Sequence, residues 1–400
     1  MSIEKLRAWW WTKQGLDGSL GKASAAEVLA KTGWARSVAG IGPYLTLFTR
    51  AGIGRAAADR AIAKLEIHEL PAARGCTYVV PESEFALALR VGQGFGFDAD
   101  MKVARKLGVK DAEIEKLSER VVAALAKGEL LPDEIRESVG GAARSLGPEG
   151  KKKGLTTTLP LALGALQEQG EIRRVPVDGR LDQQRYRYAR WSPNPLKKLN
   201  LTPEEAYTEL ARKYFSWIGP ASVEEFKWFS GLGTAAAKKA LEPLGLAPVA
   251  DADGRLASPE DAKAFQKFSP PRKPSYALVS SLDGLFHHRR DVSMHVDAAD
   301  AKQKTLTGAE GRPGGALMDL PSHAIVDRGR LVGLWEYDPV SASIVWQSFV
   351  KVDSAMEKAI AATEAYVRDQ VGDARSFSLD SPKSRVPRIE ALRKAGKRAR

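Results

Sequence analysis

The chain has 400 residues, of which 44% are hydrophobic and 28% charged, as is ordinary for a soluble globular protein of two to four domains. No apolar run approaches the ~20 residues that span a bilayer, and the first residues lack the order of a secretion signal, so we expect a cytoplasmic protein with no membrane partner. The single cysteine, Cys76, excludes an intramolecular disulfide framework and a cysteine-rich metal site, while the net charge of +12 favours a polyanionic partner.

A helix followed by a short hairpin is predicted three times along the chain. The first copy has a helix and two strands, at 55–65, 67–70 and 77–80. Helices are also predicted before it, at 23–31 and 44–50. We assign residues 1–88 to this first unit.

The second copy has the clearest end signals. Its predicted helix, 159–169, stops at Gly170, a residue suited to the left-handed end of a helix. Two strands joined through the turn dipeptide Asp178-Gly179 follow, at 171–175 and 185–190. Three helices precede the copy, at 85–107, 111–126 and 132–139. This second unit covers 89–195.

The third copy is weaker, because its strands are very short. It has a helix and then two predicted strands, at 246–249 and 255–256. Two helices precede it, at 203–218 and 223–229. The third unit covers 196–268.

After about residue 270 the pattern changes to strands. These are predicted at 276–280, 324–326, 330–335 and 342–350. We expect a small antiparallel sheet or barrel over 269–380, with an amphipathic helix, 355–371, packed against it.

The last residues, 381–400, are strongly basic. After Pro382, eight lysines and arginines oppose a single acidic residue, Glu390. Because the segment has little apolar content, we expect a disordered tail that holds phosphates by counterion release. The alternative is a solvated tail that only raises solubility.

A helix that ends in a two-stranded ribbon is typical of a winged-helix unit. The helix fits the major groove of DNA, and the ribbon reaches the phosphates or the minor groove beside it. Helix and hairpin also follow each other in proteins that bind no nucleic acid, but three copies in one basic chain favour DNA. We therefore predict an α+β fold of three tandem winged-helix units followed by a C-terminal β-barrel-like domain.

The second hairpin carries the arginines that we predict to contact DNA. Residues two apart on a strand share a face, so Arg185 and Arg187 project together while Tyr186 and Tyr188 face the opposite way. With two further arginines on the first strand, these side chains would hold phosphates: Arg173, Arg174, Arg185 and Arg187. The alternative is an edge strand kept soluble by charge.

Nucleotide and metal motifs are not supported. The glycines at 92, 94 and 96 do not follow a strand, as a dinucleotide-binding loop requires. The histidines lack HExxH or another metal-binding spacing. We therefore expect no metal and no cofactor.

Several segments together resemble the winged-helix DNA glycosylases of the crosslink-repair type, the AlkZ/YcaQ-like family. They keep the family's order and spacing over most of the chain, at 43–50, 74–81, 204–232, 280–291 and 323–336. The resemblance implies three winged-helix units and a C-terminal barrel around duplex DNA. It also implies hydrolysis of the N-glycosidic bond of an alkylated or crosslinked base, without metal or cofactor.

The family's catalytic motif is missing from this sequence. Active members place Gln-x-Gln or Gln-x-Asp shortly before the segment that here contains Tyr44 and Arg50, and the spacing puts that motif on residues 36–38. Arg36 there is cationic and Val38 has no polar atom, so neither accepts a proton from water. Tyr78 likewise replaces a family histidine. By the resemblance we assign Arg36, Tyr44, Arg50 and Tyr78 to DNA binding.

Asp283 is the candidate catalytic residue that remains. It is either a turn or cap residue or a carboxylate that stabilises an oxocarbenium-like sugar. Three functions stay open: a repair protein of the glycosylase family with altered chemistry, a non-catalytic DNA-binding regulator or lesion sensor, and a protein-interaction scaffold. We expect a monomer associated with the nucleoid, because a tandem array already supplies several DNA contacts.

Overall fold

The computed structural model describes residues 3–307 and 317–396. The fold is a mixture of helices and strands in which helices predominate. Within the described ranges, no helix combines the length and the apolar character needed to cross a membrane.

The first hairpin belongs to a three-stranded antiparallel sheet. The elements around it are α1 (Ile3–Lys13), α2 (Ala25–Thr32), β1 (Ala35–Arg36), α3 (Gly42–Ala51), α4 (Arg55–Ala63), β2 (Ile67–Pro71), β3 (Thr77–Pro81) and α5 (Phe85–Gly92). The strand order is β1-β3-β2, with Arg36 opposite Tyr78 and Glu69 opposite Val79. The short strand β1, which the sequence did not predict, therefore attaches the motif segment to this hairpin.

The second hairpin follows a bundle of helices. The elements are α6 (Gly96–Lys106), α7 (Asp111–Ala124), α8 (Pro132–Val139), α9 (Gly147–Lys152), α10 (Leu159–Glu168), β4 (Ile172–Pro176) and β5 (Tyr186–Arg190). Gly170 has φ +68°, which confirms the predicted helix end. The single helix predicted over 85–107 is wrong: it is broken into α5 and α6, and Gly94 between them has φ +83°.

The third hairpin is reduced to two residues a strand. Its elements are α11 (Pro203–Ile218), α12 (Val223–Ser230), α13 (Thr234–Leu241), β6 (Ala247–Pro248), β7 (Leu256–Ala257) and α14 (Pro259–Lys267). Capping boxes start α11 and α12, at Thr202 with Glu205 and at Ser222 with Glu225. Their bounds accordingly agree closely with the predicted ones.

The C-terminal strands form an open sheet, so the predicted barrel is not closed. The elements are β8 (Tyr276–Val279), α15 (Gly284–His287), α16 (Lys304–Thr307), β9 (His323–Asp327), β10 (Arg330–Asp338), β11 (Ser343–Ser348), α17 (Ser354–Tyr366) and α18 (Pro382–Gly396). In the described residues the antiparallel order is β11-β10-β9-β8, and the edge strands β8 and β11 do not pair. Helix α17 packs against β8, and α18 packs against β10 and β11.

The expectation of a disordered C-terminal tail is wrong as far as Gly396. Ile389 and Leu392 are buried, and the helix α18 lies on the sheet. Its arginines pair with carboxylates of other elements: Arg385 with Asp373, Arg388 with Glu336 and Asp380, and Arg393 with Asp338. These charges are neutralised within the fold. The predicted tail residues 397–400 lie outside the described residues.

The hydrophobic cores cross most of the predicted unit boundaries. One cluster, from Met101 to Tyr188, lies within the second predicted unit. The other clusters combine distant segments: α1 packs with the C-terminal sheet, and the first hairpin packs with α11 to α13. The first, third and C-terminal segments therefore hold one another in place.

Candidate functional site

The motif segment 36–38 lies between the first hairpin and the C-terminal region. The Ser37 amide donates to the Thr77 carbonyl, and the Val38 carbonyl accepts from the Ser378 amide. The Arg36 guanidinium donates to Thr77 O and lies 5.4 Å from the centre of the Tyr78 ring. The segment is thus held on both sides, and its side chains have fixed neighbours.

A buried carboxylate that the sequence analysis missed touches this segment. Glu69, on β2, is 5% exposed, and its Oε2 accepts from Ser37 Oγ at 2.9 Å. Its Oε1 accepts from the Tyr186 hydroxyl at 3.1 Å and lies 3.5 Å from the Arg174 guanidinium. Glu69 therefore joins the motif segment, the first hairpin and the second hairpin. An acidic residue inside the apolar strand IHELP was the available signal.

The predicted arginines of the second hairpin differ in how strongly they are held. Arg185 is exposed. Arg173 and Arg187 lie 3.8 and 3.9 Å from carboxylates of Glu129 and Glu134, pairs that are partly exposed and weak. The Arg174 guanidinium lies 5.1 Å from the Tyr186 ring centre, beside Glu69. A phosphate can thus replace the partners of Arg173 and Arg187 more easily than that of Arg174.

Tyr186 and Tyr188, which were predicted to face the same way, have different partners. Tyr188 is buried, as a residue facing its own core should be. Tyr186 instead reaches across to Glu69 on the first hairpin, and burial raises the pKa of its hydroxyl well above the usual value. The second hairpin is therefore attached to the first through a hydrogen bond that strand alternation did not predict.

Asp283 and Arg50, which were assigned to catalysis and to DNA binding, form a buried ion pair. Both guanidinium ends of Arg50 contact the Asp283 carboxylate, at 2.8 and 2.9 Å, and both side chains are almost fully buried. Gln14 Oε1 also accepts from Arg50 at 3.0 Å. Asp283 caps α15 by accepting from the Leu285 amide, which is its predicted cap role. Burial alone would raise the pKa of Asp283, but the Arg50 charge outweighs it and lowers that pKa.

Tyr44 and Tyr78 are both fully buried, although they were assigned to DNA binding. The Tyr44 hydroxyl donates to Asp59 and accepts from the Leu181 amide at 3.0 Å, and burial raises its pKa. The Tyr78 ring packs edge-on against Trp34. Burial likewise raises the pKa of the Tyr78 hydroxyl. In these positions the two tyrosines pack the interior behind the site.

The histidines and carboxylates of the described residues include no group of three or more that is arranged to hold a metal ion. His288, next to the Arg50–Asp283 pair, uses Nε2 for a 3.0 Å hydrogen bond with the Trp34 carbonyl. Burial lowers the pKa of His288 to about 4, so the ring is neutral near pH 7. Within the described part of the chain, the charged side chains at the site are arginines and the carboxylates Glu69 and Asp283.

Comparison with known proteins identifies a family and a shared fold. A family model described as "DNA glycosylase AlkZ-like" matches residues 40–374, a range that begins just after the motif segment. The solved structure of Streptomyces sahachiroi DNA glycosylase AlkZ superposes with a TM-score of 0.70 and 19% sequence identity, covering 94% of this chain and 98% of that chain. At that identity the likeness shows a shared fold. No protein of curated function matches.

Proposed function

The chain belongs to the AlkZ-like DNA glycosylase family, and from that premise we propose that it binds duplex DNA carrying alkylated or crosslinked bases in DNA repair. In this proposal residues 1–88, 89–195 and 196–268 act as winged-helix units, and the C-terminal sheet closes one side of the DNA channel. The protein acts as a monomer at the nucleoid, and needs no metal or cofactor.

The observation that carries the proposal is the link through Glu69. It connects the arginine-bearing hairpin to the segment where the family keeps its catalytic motif. Phosphates held by Arg173, Arg185 and Arg187 would therefore set the register of the duplex against residues 36–38. Arg174 acts by fixing the hairpin on Glu69. Tyr44, Tyr78, Arg50 and Asp283 support the site from within the fold.

The chemistry of the motif segment favours binding over base excision. Arg36 donates hydrogen bonds and accepts none, and Val38 is apolar, so the segment cannot activate water as two glutamines or a glutamine and an aspartate would. A lesion-binding protein without base excision is the function that these residues support best.

Base excision through Glu69 is the second candidate, because this carboxylate lies beside the motif segment. A carboxylate there can activate water or stabilise the oxocarbenium-like sugar as the base leaves. Asp283 cannot, because Arg50 occupies both its oxygens.

One gel experiment separates these functions. Labelled duplexes, unmodified or carrying N7-alkylguanine or an interstrand crosslink, are mixed with the full chain at two salt concentrations. Base loss is read as strand breakage under mild conditions that cleave abasic sites only. We expect salt-sensitive binding that is stronger on the modified duplexes, and no breakage.

Two variants give the controls. Breakage by the wild type that is lost in Glu69→Gln would establish the second candidate. The double variant Arg36→Gln, Val38→Gln rebuilds the Gln-x-Gln motif, and we expect it to gain breakage on the alkylated duplex. Absence of duplex binding in the wild type at low salt would refute the proposed function.

A further inference from the structure

Arginines from three separate parts of the chain lie near His287, and two of them contact Trp228. Arg36 ends β1, Arg74 lies in the turn of the first hairpin, and Arg290 follows α15. The Arg74 guanidinium lies 3.8 Å from the centre of the Trp228 ring, and that of Arg290 lies 5.6 Å from it. The His287 ring packs edge-on against the same tryptophan at 5.3 Å.

Two of these arginines are held in a strained backbone conformation. Arg74 has φ +60° and Arg290 has φ +53°, in the left-handed region that residues other than glycine rarely adopt. Such strain persists where the surrounding structure or a function requires it. In both residues the guanidinium lies near the Trp228 indole.

The positive charge of this cluster is poorly compensated. Within residues 3–307 and 317–396, neither Arg36 nor Arg74 forms an ion pair with a carboxylate. Arg290 pairs with Asp319 at 3.0 Å, but both side chains are more than one-third exposed, so the pair is weak. All three arginines are only partly buried, and an anion from solvent can reach them.

The centre of the cluster also contains polar atoms that lack partners. His287 Nε2 and Arg74 Nε are buried and make no hydrogen bond in the described residues. Burial, followed by the charges of His288, Arg36, Arg74 and Arg290, lowers the pKa of His287 well below its usual range. An anion at this point would satisfy the two nitrogens and offset the mutual repulsion of the guanidinium groups.

We propose that Arg36, Arg74, Arg290 and His287 form a binding site for one phosphodiester of the DNA backbone, beside Trp228. The proposal rests on the proposed function and deepens it. Since Arg36 occupies the first position of the lost catalytic motif, the phosphate would lie next to the nucleotide on which a glycosylase of this family acts. At this position, binding of a backbone phosphate takes the place of water activation.

The test measures duplex affinity against salt for the full chain, for Arg74→Gln and Arg290→Gln, and for Arg212→Gln. Arg212 lies on the exposed side of α11, paired with Glu209, and is the matched control for loss of one charge. We expect Arg74→Gln and Arg290→Gln each to weaken binding about 3- to 10-fold and to reduce the slope of log K against log salt by about one. Arg74→Lys, which keeps the charge, should restore most of the slope. Thermal melts check that each variant is folded.

A second arm identifies the source of the phosphate. Inorganic phosphate is titrated into the full chain at constant ionic strength, and single linkages of the duplex are replaced by neutral methylphosphonates. We expect one linkage whose neutralisation weakens the wild type but leaves Arg74→Gln unchanged. Competition by inorganic phosphate without such a linkage would mean a site for free phosphate and would overturn the proposal.

Equal slopes for Arg74→Gln and Arg212→Gln would also overturn it. If the wild type binds no duplex at all, the proposed function fails. The inorganic phosphate titration then still tests the site, because only a built anion site gives saturation that Arg74→Gln abolishes.

Discussion

Arg50 and the cluster around His287 show two ways of burying arginine in one molecule. Arg50 meets the Asp283 carboxylate through two hydrogen bonds and has almost no exposure. Arg36 and Arg74 lie half-buried on aromatic rings, with no carboxylate opposite them in the described residues. A matched buried charge serves the fold, whereas unmatched charge kept within reach of solvent is available to a ligand. Substitutions should therefore separate stability from DNA binding.

The largest effect is expected at the matched pair. Asp283→Asn removes the charge opposite Arg50 and should lower the free energy of unfolding by about 3–5 kcal/mol, since it leaves a buried guanidinium unpaired. Urea denaturation measures the loss. Asp319→Asn removes the partly exposed partner of Arg290 and should cost less than about 1 kcal/mol. If both variants lost the same free energy of unfolding, the Arg50–Asp283 pair would not differ from the Arg290–Asp319 pair as proposed.

The second-largest loss of stability is expected on acidification, at His288 beside the matched pair. The pKa of His288 is about 4 in the fold, against ~6.5 in the unfolded chain, so the unfolded state binds the proton first. The stability from a neutral His288 is complete above pH 6.5 and is lost as the pH falls toward 4, by roughly 3 kcal/mol. His288→Gln should flatten the unfolding free energy in that range. An unchanged pH profile would contradict this.

A smaller loss of stability is expected at the C-terminal helix. Arg388 pairs with the buried carboxylates of Glu336 and Asp380, both at 2.7 Å. Arg388→Gln should lower the free energy of unfolding by about 2 kcal/mol, because two buried carboxylates lose their cation. The salt dependence of duplex binding should not change, since this charge is already neutralised. A reduced salt slope would instead support the original expectation of a phosphate-binding tail.

The smallest change in stability is expected at the second hairpin. The double variant Arg185→Gln, Arg187→Gln should stay within about 0.5 kcal/mol of the wild type, as is usual for surface positions. Its slope of log K against log salt should fall by about two, which a filter-binding titration measures. Arg212→Gln is again the control for charge. A slope unchanged from wild type would exclude these arginines from the DNA contact.

Local signals in the sequence were sufficient for most helices and hairpins. The predicted helices at 203–218 and 223–229 and the turn glycine Gly170 gave element ends close to those observed. The same signals do not report distant partners. Nothing near Glu69 in the chain indicates that Ser37 and Tyr186 will meet its carboxylate, and nothing near Asp283 indicates Arg50.

The C-terminal predictions failed for the same reason. The disordered basic tail was predicted from the composition of that segment alone. In the structure, Arg388 is neutralised by residues on β10 and in the loop before α18. Barrel closure likewise depends on whether β8 and β11 pair, and the local pattern of each strand does not contain that information. Site residues defined by long-range contacts were therefore the hardest to predict.

The docking of α1 has a consequence for how the chain folds during synthesis. Arg7 pairs with Asp297, Lys13 pairs with Asp261, and the Trp9 indole donates to the Gly219 carbonyl. Helix α1 therefore completes its packing only after partners more than two hundred residues further along the chain have been synthesised. Until then its tryptophans lack these contacts, and exposed apolar surface of this kind favours aggregation or chaperone binding of a nascent chain.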